Sequence, residues 1–485
     1  MFSLNIRFVF KVLGMMHVLE SFFMLCTTGV AFYYRESDCA PLLASFAVML
    51  GAGLIFWFIG RNSRQMYTGR REASLAVTLT WILLTFFGML PFLFGGYIDN
   101  ATDAFYEVMS GFTTTGSTVF SDVESLPHGI LFWRSLTQWQ GGVGMIVFTV
   151  ALLPLVGGGA NQLFDAETSA IMHEHFLPRV TQTAKRFFGI YLLITCMLTL
   201  LLWAGPMDLF DAVNHAMTTV SSGGISTKND SIAHWDSPYI YYVTTVFMFV
   251  AALDFTLIYF LCRGKSKKIT GNEEMHYLAT FIIVATLLMT AILFFGNRDA
   301  DPELLFRKVL FQVTSLITTT GYVVSDYAAW GTLFTLIALI LMTVCGCAGS
   351  TSGGLKMGRF VILIKNAQNE FKKQTHPNAI IPVRMNGHVI PADTVQHVQT
   401  FVFVYALSIV AGCAVLLVDG LPLKESIGMA VAAIGNVGPA LGKYAGGVFT
   451  DLSAVAKWTL SLLMLVGRLE IFTILTLFLP SFWKR

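Results

Sequence analysis

The chain has 485 residues, of which 55% are hydrophobic and 12% are charged. A soluble protein of this size carries about 25% charged residues, so the composition excludes a string of soluble domains and predicts a polytopic membrane protein. The net charge of +2 also excludes the strong positive field with which proteins attract nucleic acid.

Ten apolar stretches are long enough to cross a hydrocarbon core of about 30 Å. The first lies at the N-terminus without a small-residue cleavage site, so it is interpreted as a retained helix and not as a signal peptide. The eighth is too long and too rich in glycine at its middle to be one straight helix. The stretches are 5–33, 41–60, 73–98, 131–155, 187–205, 238–262, 276–296, 330–364, 398–418 and 453–482.

Lysine and arginine are distributed unevenly between the two sides of these crossings. Of the 31 such residues, 21 fall on the side of the chain termini, nine fall on or near the other side, and Arg468 lies inside the last stretch. By the positive-inside rule, both termini are predicted to be cytoplasmic. Residues 97–130 and the other loops on the same side of the membrane are predicted to face outward.

Four outward loops contain a segment of the same length and pattern. Each segment has fourteen residues, is too short to cross the membrane and ends on glycine after a run of small or hydroxyl-bearing residues. Asp103, Asp211 and Glu425 open three of them with an acid that suits the first turn of a helix, whereas Lys308 opens the third and Glu303 is the candidate acid in its place. The segments are DAFYEVMSGFTTTG (103–116), DAVNHAMTTVSSGG (211–224), KVLFQVTSLITTTG (308–321) and ESIGMAVAAIGNVG (425–438).

The final glycines of the four segments are 108, 97 and 117 residues apart, which indicates an internal repeat. Four unrelated loops that happen to contain glycine would leave the shared length and the helix-start acids unexplained. The predicted fold is an all-α polytopic membrane protein in which four helix–pore-loop–helix units surround one central pore. The predicted divisions are 1–70 for two extra N-terminal transmembrane helices, then 71–182, 183–270, 271–385 (with an intramembrane gating loop) and 386–485 for the four repeats.

Non-helical backbone at membrane depth must be buried in protein or line a watery cavity. Four glycine strands around one axis would place carbonyl oxygens in rings that replace the water shell of a dehydrated cation. Glycine allows the turns that a Cβ forbids, and the half-helix C-termini add partial negative charge that favours a cation. This chemistry needs no titrating side chain.

Together with the four loop segments, three further motifs resemble a known family. They are FWRSLTQWQGGVGMIVFTVALLP (132–154), CGCAGSTSGGLK (345–356) and LVGRLEIFT (465–473). The chain resembles the bacterial TrkH, TrkG and KtrB superfamily of potassium transporters, which is related to fungal Trk and plant HKT proteins. Two spans ahead of the first repeat match the TrkH and TrkG branch.

The resemblance implies a selectivity filter built from the backbone of each final glycine and the two residues before it, with K⁺ ions as its only ligands and no covalently bound cofactor. Sodium-preferring plant relatives often carry serine at the first of these glycines, so Gly116 favours potassium. The implied filter residues are Thr114, Thr115 and Gly116; Ser222, Gly223 and Gly224; Thr319, Thr320 and Gly321; and Asn436, Val437 and Gly438.

The run 345–354 has too many small residues to favour a regular helix. The resemblance implies that it is an intramembrane loop that lies under the filter, partly blocks the pore and moves to open it; the alternative is a small-residue face for close helix packing. The implied gating residues are Gly346, Gly349, Ser350, Thr351, Ser352, Gly353, Gly354, Lys356 and Arg468.

Arg468 places a charge in an apolar span, where charges are costly and usually functional. The resemblance implies that it projects into the conduction path below the filter as an electrostatic barrier. The alternatives are snorkelling or pairing with Glu470, although residues two apart on a helix do not face each other. For Lys356, a snorkelling cytoplasmic lysine is the alternative to a role at the gate.

Other residues give weaker indications of function. The seven cysteines are interpreted as small buried side chains and not as a disulfide framework, because their number is odd and most lie in apolar stretches. His173, Glu174 and His175 lack helical spacing and are interpreted as a solvated loop, and Cys345 with Cys347 lacks a partner pair for zinc. Glu20 and Asp254 lie inside spans without an assigned role.

The resemblance implies potassium uptake across the bacterial inner membrane by a homodimer in which each subunit has its own pore. It also implies control by a cytosolic TrkA-like nucleotide-binding ring. The sequence contains no glycine-rich nucleotide loop followed by a helix, so any control by nucleotide is expected to come from a partner. One alternative is a sodium-permeable or ion-coupled symporter, for which Asp254, Lys356 and Arg468 are the candidate coupling groups. A polytopic membrane enzyme is a remote alternative, because no catalytic constellation stands out at membrane depth.

Overall fold

A computed structural model describes residues 4–62, 70–156, 180–265, 270–296 and 301–483. For residues 70, 145–156 and 180–183 it describes the backbone alone. The fold and the site below refer to these ranges.

Within the described ranges the chain is mostly helical, with irregular segments between the helices. A single hairpin of β1 (Arg384–Met385) and β2 (His388–Val389) pairs Arg384 with Val389 and Met385 with His388. The helices are α1 (Ile6–Tyr34), α2 (Cys39–Gly60), α3 (Arg70–Gly88), α4 (Leu90–Phe94), α5 (Ala101–Phe112), α6 (His128–Val156), α7 (Val180–Trp203), α8 (Leu209–Val220), α9 (Pro238–Ala251), α10 (Phe255–Cys262), α11 (Glu273–Gly296), α12 (Pro302–Ile317), α13 (Thr332–Val344), α14 (Met357–Thr375), α15 (Ala392–Val418), α16 (Leu423–Gly435), α17 (Ala454–Arg468), α18 (Ile471–Leu475) and α19 (Pro480–Trp483).

Six spans in the described residues are long and apolar enough to cross a membrane, and the total is eight if two sharply bent helix pairs count as one span each. The bent pairs are α9 with α10, at 108°, and α17 with α18, at 115°. The sequence predicted crossings at 238–262 and 453–482, and in the structure each of these stretches is sharply bent within its length. The six unbroken spans are Ile6–Tyr34, Cys39–Gly60, Arg71–Phe94, Ala184–Trp203, Glu273–Gly296 and Ala392–Val418.

Polar residues cause both bends. Asp254 caps a new helix, because its side chain accepts a hydrogen bond of 2.7 Å from the Thr256 N–H. At the second bend Glu470 has a left-handed φ of 61°, which an α-helix cannot continue through. The stretch 330–364 is divided into α13 and α14, as its glycine content predicted.

The four half-helices are α5, α8, α12 and α16, each of which ends shortly before its final glycine. Asn100, Asp208 and Asp301 cap the first three through their side chains. The third begins at Pro302, with Glu303 in its first turn, so Lys308 lies in the helix interior. The apparent departure of the third segment from the helix-start pattern was therefore an error of alignment.

All seven cysteines are free, but only Cys345, Cys347 and Cys413 are buried. Cys26, Cys196 and Cys262 are exposed on spans that also expose large apolar side chains such as Leu200. The expectation of seven buried cysteines was wrong, because a lipid-facing surface is as favourable for an apolar side chain as a protein core.

Candidate functional site

The strands that follow the four half-helices repeat one backbone conformation. The residue two positions before each final glycine is left-handed, with φ between 53° and 58°, and the glycine itself has φ between 69° and 90°. A positive φ is uncommon outside glycine, so the same pair of positive angles at four matched positions identifies four equivalent strands. The eight residues are Thr114, Ser222, Thr319, Asn436, Gly116, Gly224, Gly321 and Gly438.

These strands contact one another in a closed ring that follows chain order. A Cβ placed on Gly116 would collide with the carbonyl oxygen of Gly223, and one on Gly224 with that of Thr320. A Cβ on Gly321 would collide with the carbonyl oxygen of Val437, and one on Gly438 with that of Thr115. Each position therefore requires glycine for two reasons: the neighbouring strand leaves no room for a Cβ, and the positive φ disfavours other residues.

The backbone carbonyls of the ring mostly lack hydrogen-bond donors. Among the described residues, eleven of the twelve carbonyls of the predicted filter triplets accept no hydrogen bond, and Gly223 alone accepts one, at 2.7 Å from Gln138 Nε2. Buried carbonyls are normally paired. A ring rich in unpaired carbonyl oxygens has the chemistry to coordinate a dehydrated cation.

A loop of non-helical backbone, residues 345–356, lies against one end of this ring. Thr351 Oγ1 lies 2.8 Å from Ser222 Oγ, and Ser352 Oγ donates to the Thr318 carbonyl at 2.8 Å. The Gly353 N–H donates to Thr319 Oγ1 at 3.1 Å. Because the run is irregular, the alternative of a helical small-residue packing face is wrong.

Arg468, at the end of α17, is bonded to this loop. Its Nη1 donates to the Thr351 carbonyl at 2.7 Å, and its Nη2 donates to the Gly141 carbonyl at 2.5 Å. Glu470 pairs instead with Arg359, at 2.6 Å, so the alternative of an Arg468–Glu470 pair is wrong. The structure brings Arg468 to the same side of the ring as the loop.

Lys356 folds back into the same loop and does not extend towards an aqueous surface. Its Nζ donates to the Ser352 carbonyl and, at 3.4 Å, to the Ser350 carbonyl. Two further glycines of the loop also accept hydrogen bonds: the Gly346 carbonyl accepts from the Met357 N–H, and the Gly349 carbonyl from the Phe255 N–H. The predicted gating residues are thus gathered in one place.

Comparison with known proteins decides the family. A family model described as TrkH, cation transport protein, matches residues 44–297 and 303–485. The chain belongs to the TrkH family of cation transport proteins.

Individual members are similar along their whole length. The Trk system potassium uptake protein TrkH of Escherichia coli (strain K12) is 35% identical over 484 residues, which are 99% of this chain and 100% of that protein. The Trk system potassium uptake protein TrkG of the same strain is 31% identical over 486 residues, 99% of each chain. The crystal structure of the potassium transporter TrkH from Vibrio parahaemolyticus has a TM-score of 0.89 at 34% identity and covers 99% of this chain and 100% of its own.

Membership of the TrkH family confirms the resemblance inferred from the loop motifs and the all-α polytopic fold class. The family consists of transporters, so the alternative of a membrane enzyme is excluded. Together with its apolar helices, membership makes this chain a multi-pass membrane protein.

Two polar residues that brace the ring were missed by the sequence analysis. Gln138 bridges the second strand, because it donates to the Gly223 carbonyl and accepts from the Ile225 N–H at 3.0 Å. The Tyr322 hydroxyl bonds Thr218 Oγ1 at 2.6 Å and so links the third strand to α8. The available signal was a polar group inside an apolar stretch, which membrane proteins retain for a purpose.

Glu274 is a third omission, and it holds the loop from the side of α11. Its Oε2 accepts from the Ala348 N–H at 2.8 Å, and a Cβ on Gly358 would lie 2.9 Å from its Oε1. The neighbouring Glu273 pairs with Lys365 of α14. The first turn of α11 therefore fastens both the loop and the helix that follows it.

Glu107 and Arg134 form a buried ion pair beside the first strand. Arg134 Nε lies 2.8 Å from Glu107 Oε1, and the side chains are 2% and 1% exposed. Glu107 Oε2 also accepts from the Val119 N–H and from Thr118 Oγ1, each at 2.9 Å. Arg134 is one of the nine basic residues predicted on or near the outer side, and in the structure it is buried in the protein and not exposed in a loop.

Substituting Glu107→Gln is expected to lower the stability of the protein by about 3–5 kcal/mol, because removal of one partner leaves the buried Arg134 charge uncompensated. The measurement is the thermal midpoint of the detergent-solubilised protein. Asp451→Asn is the control, since it breaks the exposed Lys443–Asp451 pair, and surface pairs contribute little. Equal midpoints for the two variants would contradict the assignment of the buried pair.

No group of three or more metal-ligating side chains occurs in the part of the chain that the structure describes. His173, Glu174 and His175 lie outside the described residues.

Proposed function

We propose that this chain conducts potassium ions inward across a bacterial inner membrane, through a channel-like pore with a four-strand selectivity filter and an intramembrane gate. The observation that carries the proposal is the closed ring of four equivalent strands, rich in unpaired carbonyl oxygens. The names of the relatives, which are potassium uptake proteins, support potassium as the ion. Both chain termini lie in the cytoplasm in this proposal, as the distribution of lysine and arginine predicts.

The filter works by exchanging water for carbonyl oxygens. An entering cation loses its hydration shell and gains backbone oxygens from the filter triplets. The half-helices α5, α8, α12 and α16 direct the negative ends of their dipoles at the site, which lowers the cost of holding a cation there. Because the four glycines have no Cβ, each strand packs directly against the carbonyl oxygen of the next, close enough for all four to act on one ion.

The gate is the loop 345–356 together with Arg468. In the structure the loop is bonded to the ends of the second and third strands by Thr351, Ser352 and Gly353. Opening requires those bonds to break so that the loop leaves the path below the ring. Arg468 adds a positive charge that opposes cations at this position and holds the loop through the Thr351 carbonyl.

Control by other proteins is part of the proposal. The relatives are named as members of a Trk system. We infer that this chain also works with a cytosolic TrkA-like nucleotide-binding ring and forms a homodimer in the bilayer. The cytosolic partner would move the gate by acting on α13 and α14, the two helices that flank the gating loop, at their cytoplasmic ends.

The test is rubidium uptake into proteoliposomes that contain the purified full chain, driven by a potassium gradient, with excess sodium as competitor. Uptake that sodium barely inhibits and that pH does not change is expected for a potassium-selective pore. Uptake that requires sodium or a proton gradient would instead indicate the ion-coupled symporter. If uptake is absent both before and after the cytosolic partner is added, the proposed function is wrong.

A further inference from the structure

A cavity lies over the opposite end of the ring from the loop. It reaches three of the final glycines, Gly116, Gly224 and Gly321, and is the outer mouth of the proposed pore. The charged side chains that line it, Arg134 and Lys228, are both basic. Two positive charges at the entrance of a cation pathway would oppose entry unless they are neutralised.

Arg134 is neutralised inside the protein. It forms the buried pair with Glu107, and its side chain is 2% exposed. Its Nη2 also donates to Thr118 Oγ1 at 3.0 Å. A buried ion pair of opposite charges presents little net charge to the cavity.

Lys228 is placed differently. Its Nζ lies 3.5 Å from Asp211 Oδ2, and the lysine side chain is 27% exposed whereas the aspartate is 8% exposed. The other carboxylate oxygen accepts from Thr227 Oγ1 at 2.6 Å. The ammonium therefore lies between the cavity and a carboxylate in the first turn of α8.

The loop that carries Lys228 is held in position by its neighbours. The Val123 N–H donates to Asn229 Oδ1 at 2.7 Å, and Asn229 Nδ2 donates to Asp122 Oδ1 at 2.9 Å. The hydrogen bond from Asn229 lowers the pKa of Asp122 and so favours its charged, accepting form. The Lys228 N–H donates to Ser226 Oγ at 3.0 Å.

We propose that the Lys228–Asp211 pair sets the apparent affinity of the outer mouth for cations. The Lys228 ammonium covers Asp211 and keeps this carboxylate from attracting cations into the cavity. Charges in a cleft with low-dielectric walls change the local concentration of an entering ion. The inference rests on the proposed function, since it concerns the entrance of the same pathway.

Charge at this position can be varied in both directions. Lys228→Gln leaves Asp211 uncovered and is expected to lower the apparent KM for rubidium. Asp211→Asn leaves the ammonium uncompensated and is expected to raise KM. The double variant restores the net charge and is expected to return KM close to that of the wild type. Each unit of charge is expected to change KM about two- to fivefold at low ionic strength.

The measurement is the initial rate of uptake against external rubidium, in bacterial cells that lack other potassium uptake systems and express the full chain with its cytosolic partner. The maximal rate is expected to stay unchanged, because the filter is intact. The KM differences are expected to shrink when an impermeant salt is added outside, since exposed charges are screened. Lys443→Gln is the control, because Lys443 is an exposed lysine that does not line the cavity.

A purely structural role for the pair would lower the maximal rate in both single variants and would not be corrected in the double variant. That result, or a KM shift that added salt does not change, would overturn the inference while wild-type uptake upholds the proposed function. Absence of rubidium uptake by the wild type would overturn the proposed function and this inference with it.

Discussion

Gly116→Ser is expected to reduce the preference for potassium over sodium by about tenfold, which corresponds to about 1.4 kcal/mol. The new Cβ would collide with the carbonyl oxygen of Gly223, and a serine at φ 87° adds strain of about 1–3 kcal/mol. The first strand must move away from the second. The carbonyl oxygens then no longer match the potassium ion, so the preference for potassium over sodium falls. The measurement is inhibition of rubidium uptake by sodium.

The chain offers a matched control for this variant. Gly446 lines the outer cavity, and a Cβ placed on it would meet nothing within 4 Å. Gly446→Ser is therefore expected to keep the wild-type selectivity. Both variants are expected to be expressed and to give the same elution profile in detergent. The filter assignment fails if Gly116→Ser retains full selectivity, or if Gly446→Ser loses as much.

Deletion of Gly349–Gly354 is expected to raise rubidium flux at least about tenfold in the absence of any cytosolic partner. The deletion removes the bonds of Thr351, Ser352 and Gly353 to the ends of the second and third strands. Each such bond contributes about 1 kcal/mol, so together they favour the closed position strongly. Flux is measured with the purified chain in proteoliposomes.

A point variant separates gating from damage to the fold. Ser352→Ala removes only the bond to the Thr318 carbonyl and is expected to raise the flux about fivefold. Ser350→Ala is the control, because the bonds of the Ser350 hydroxyl stay within the loop: it donates to the Cys347 carbonyl and accepts from the Ser352 N–H. If flux stays low in a folded deletion variant, or if Ser350→Ala and Ser352→Ala behave alike, the loop is not the gate.

Local signals made the repeat visible in the sequence. A polar cap and a first-turn acid indicate the start of a half-helix, and a final glycine indicates where the chain must adopt a positive φ. These signals located all four strands, and the glycines at 346–354 located the break between α13 and α14. They failed at Lys308 because the third half-helix has one more turn, so an alignment anchored at Gly321 misplaced its start.

The side-chain pairings depended on residues far apart in the chain. Arg359 and Glu470 are separated by 111 positions, and so are not related by any helical or strand spacing. The sequence does not distinguish Arg134 from a charge in an exposed loop, because its pairing with Glu107 exists only in the folded protein. Gln138 reaches a carbonyl 85 residues away. Such contacts exist only once the helices have packed.

By itself the sequence determined the all-α polytopic fold, the four segments and their glycines, and the irregular loop, because composition, helix caps and glycine act within a few residues. Only the tertiary structure decided that the four strands close into a ring in chain order, that Arg468 bonds the loop, and that Lys228 pairs with Asp211 beside the cavity. The reason is physical: whether a carbonyl has a hydrogen-bond donor, or a charge has a partner, depends on which distant segments pack against it.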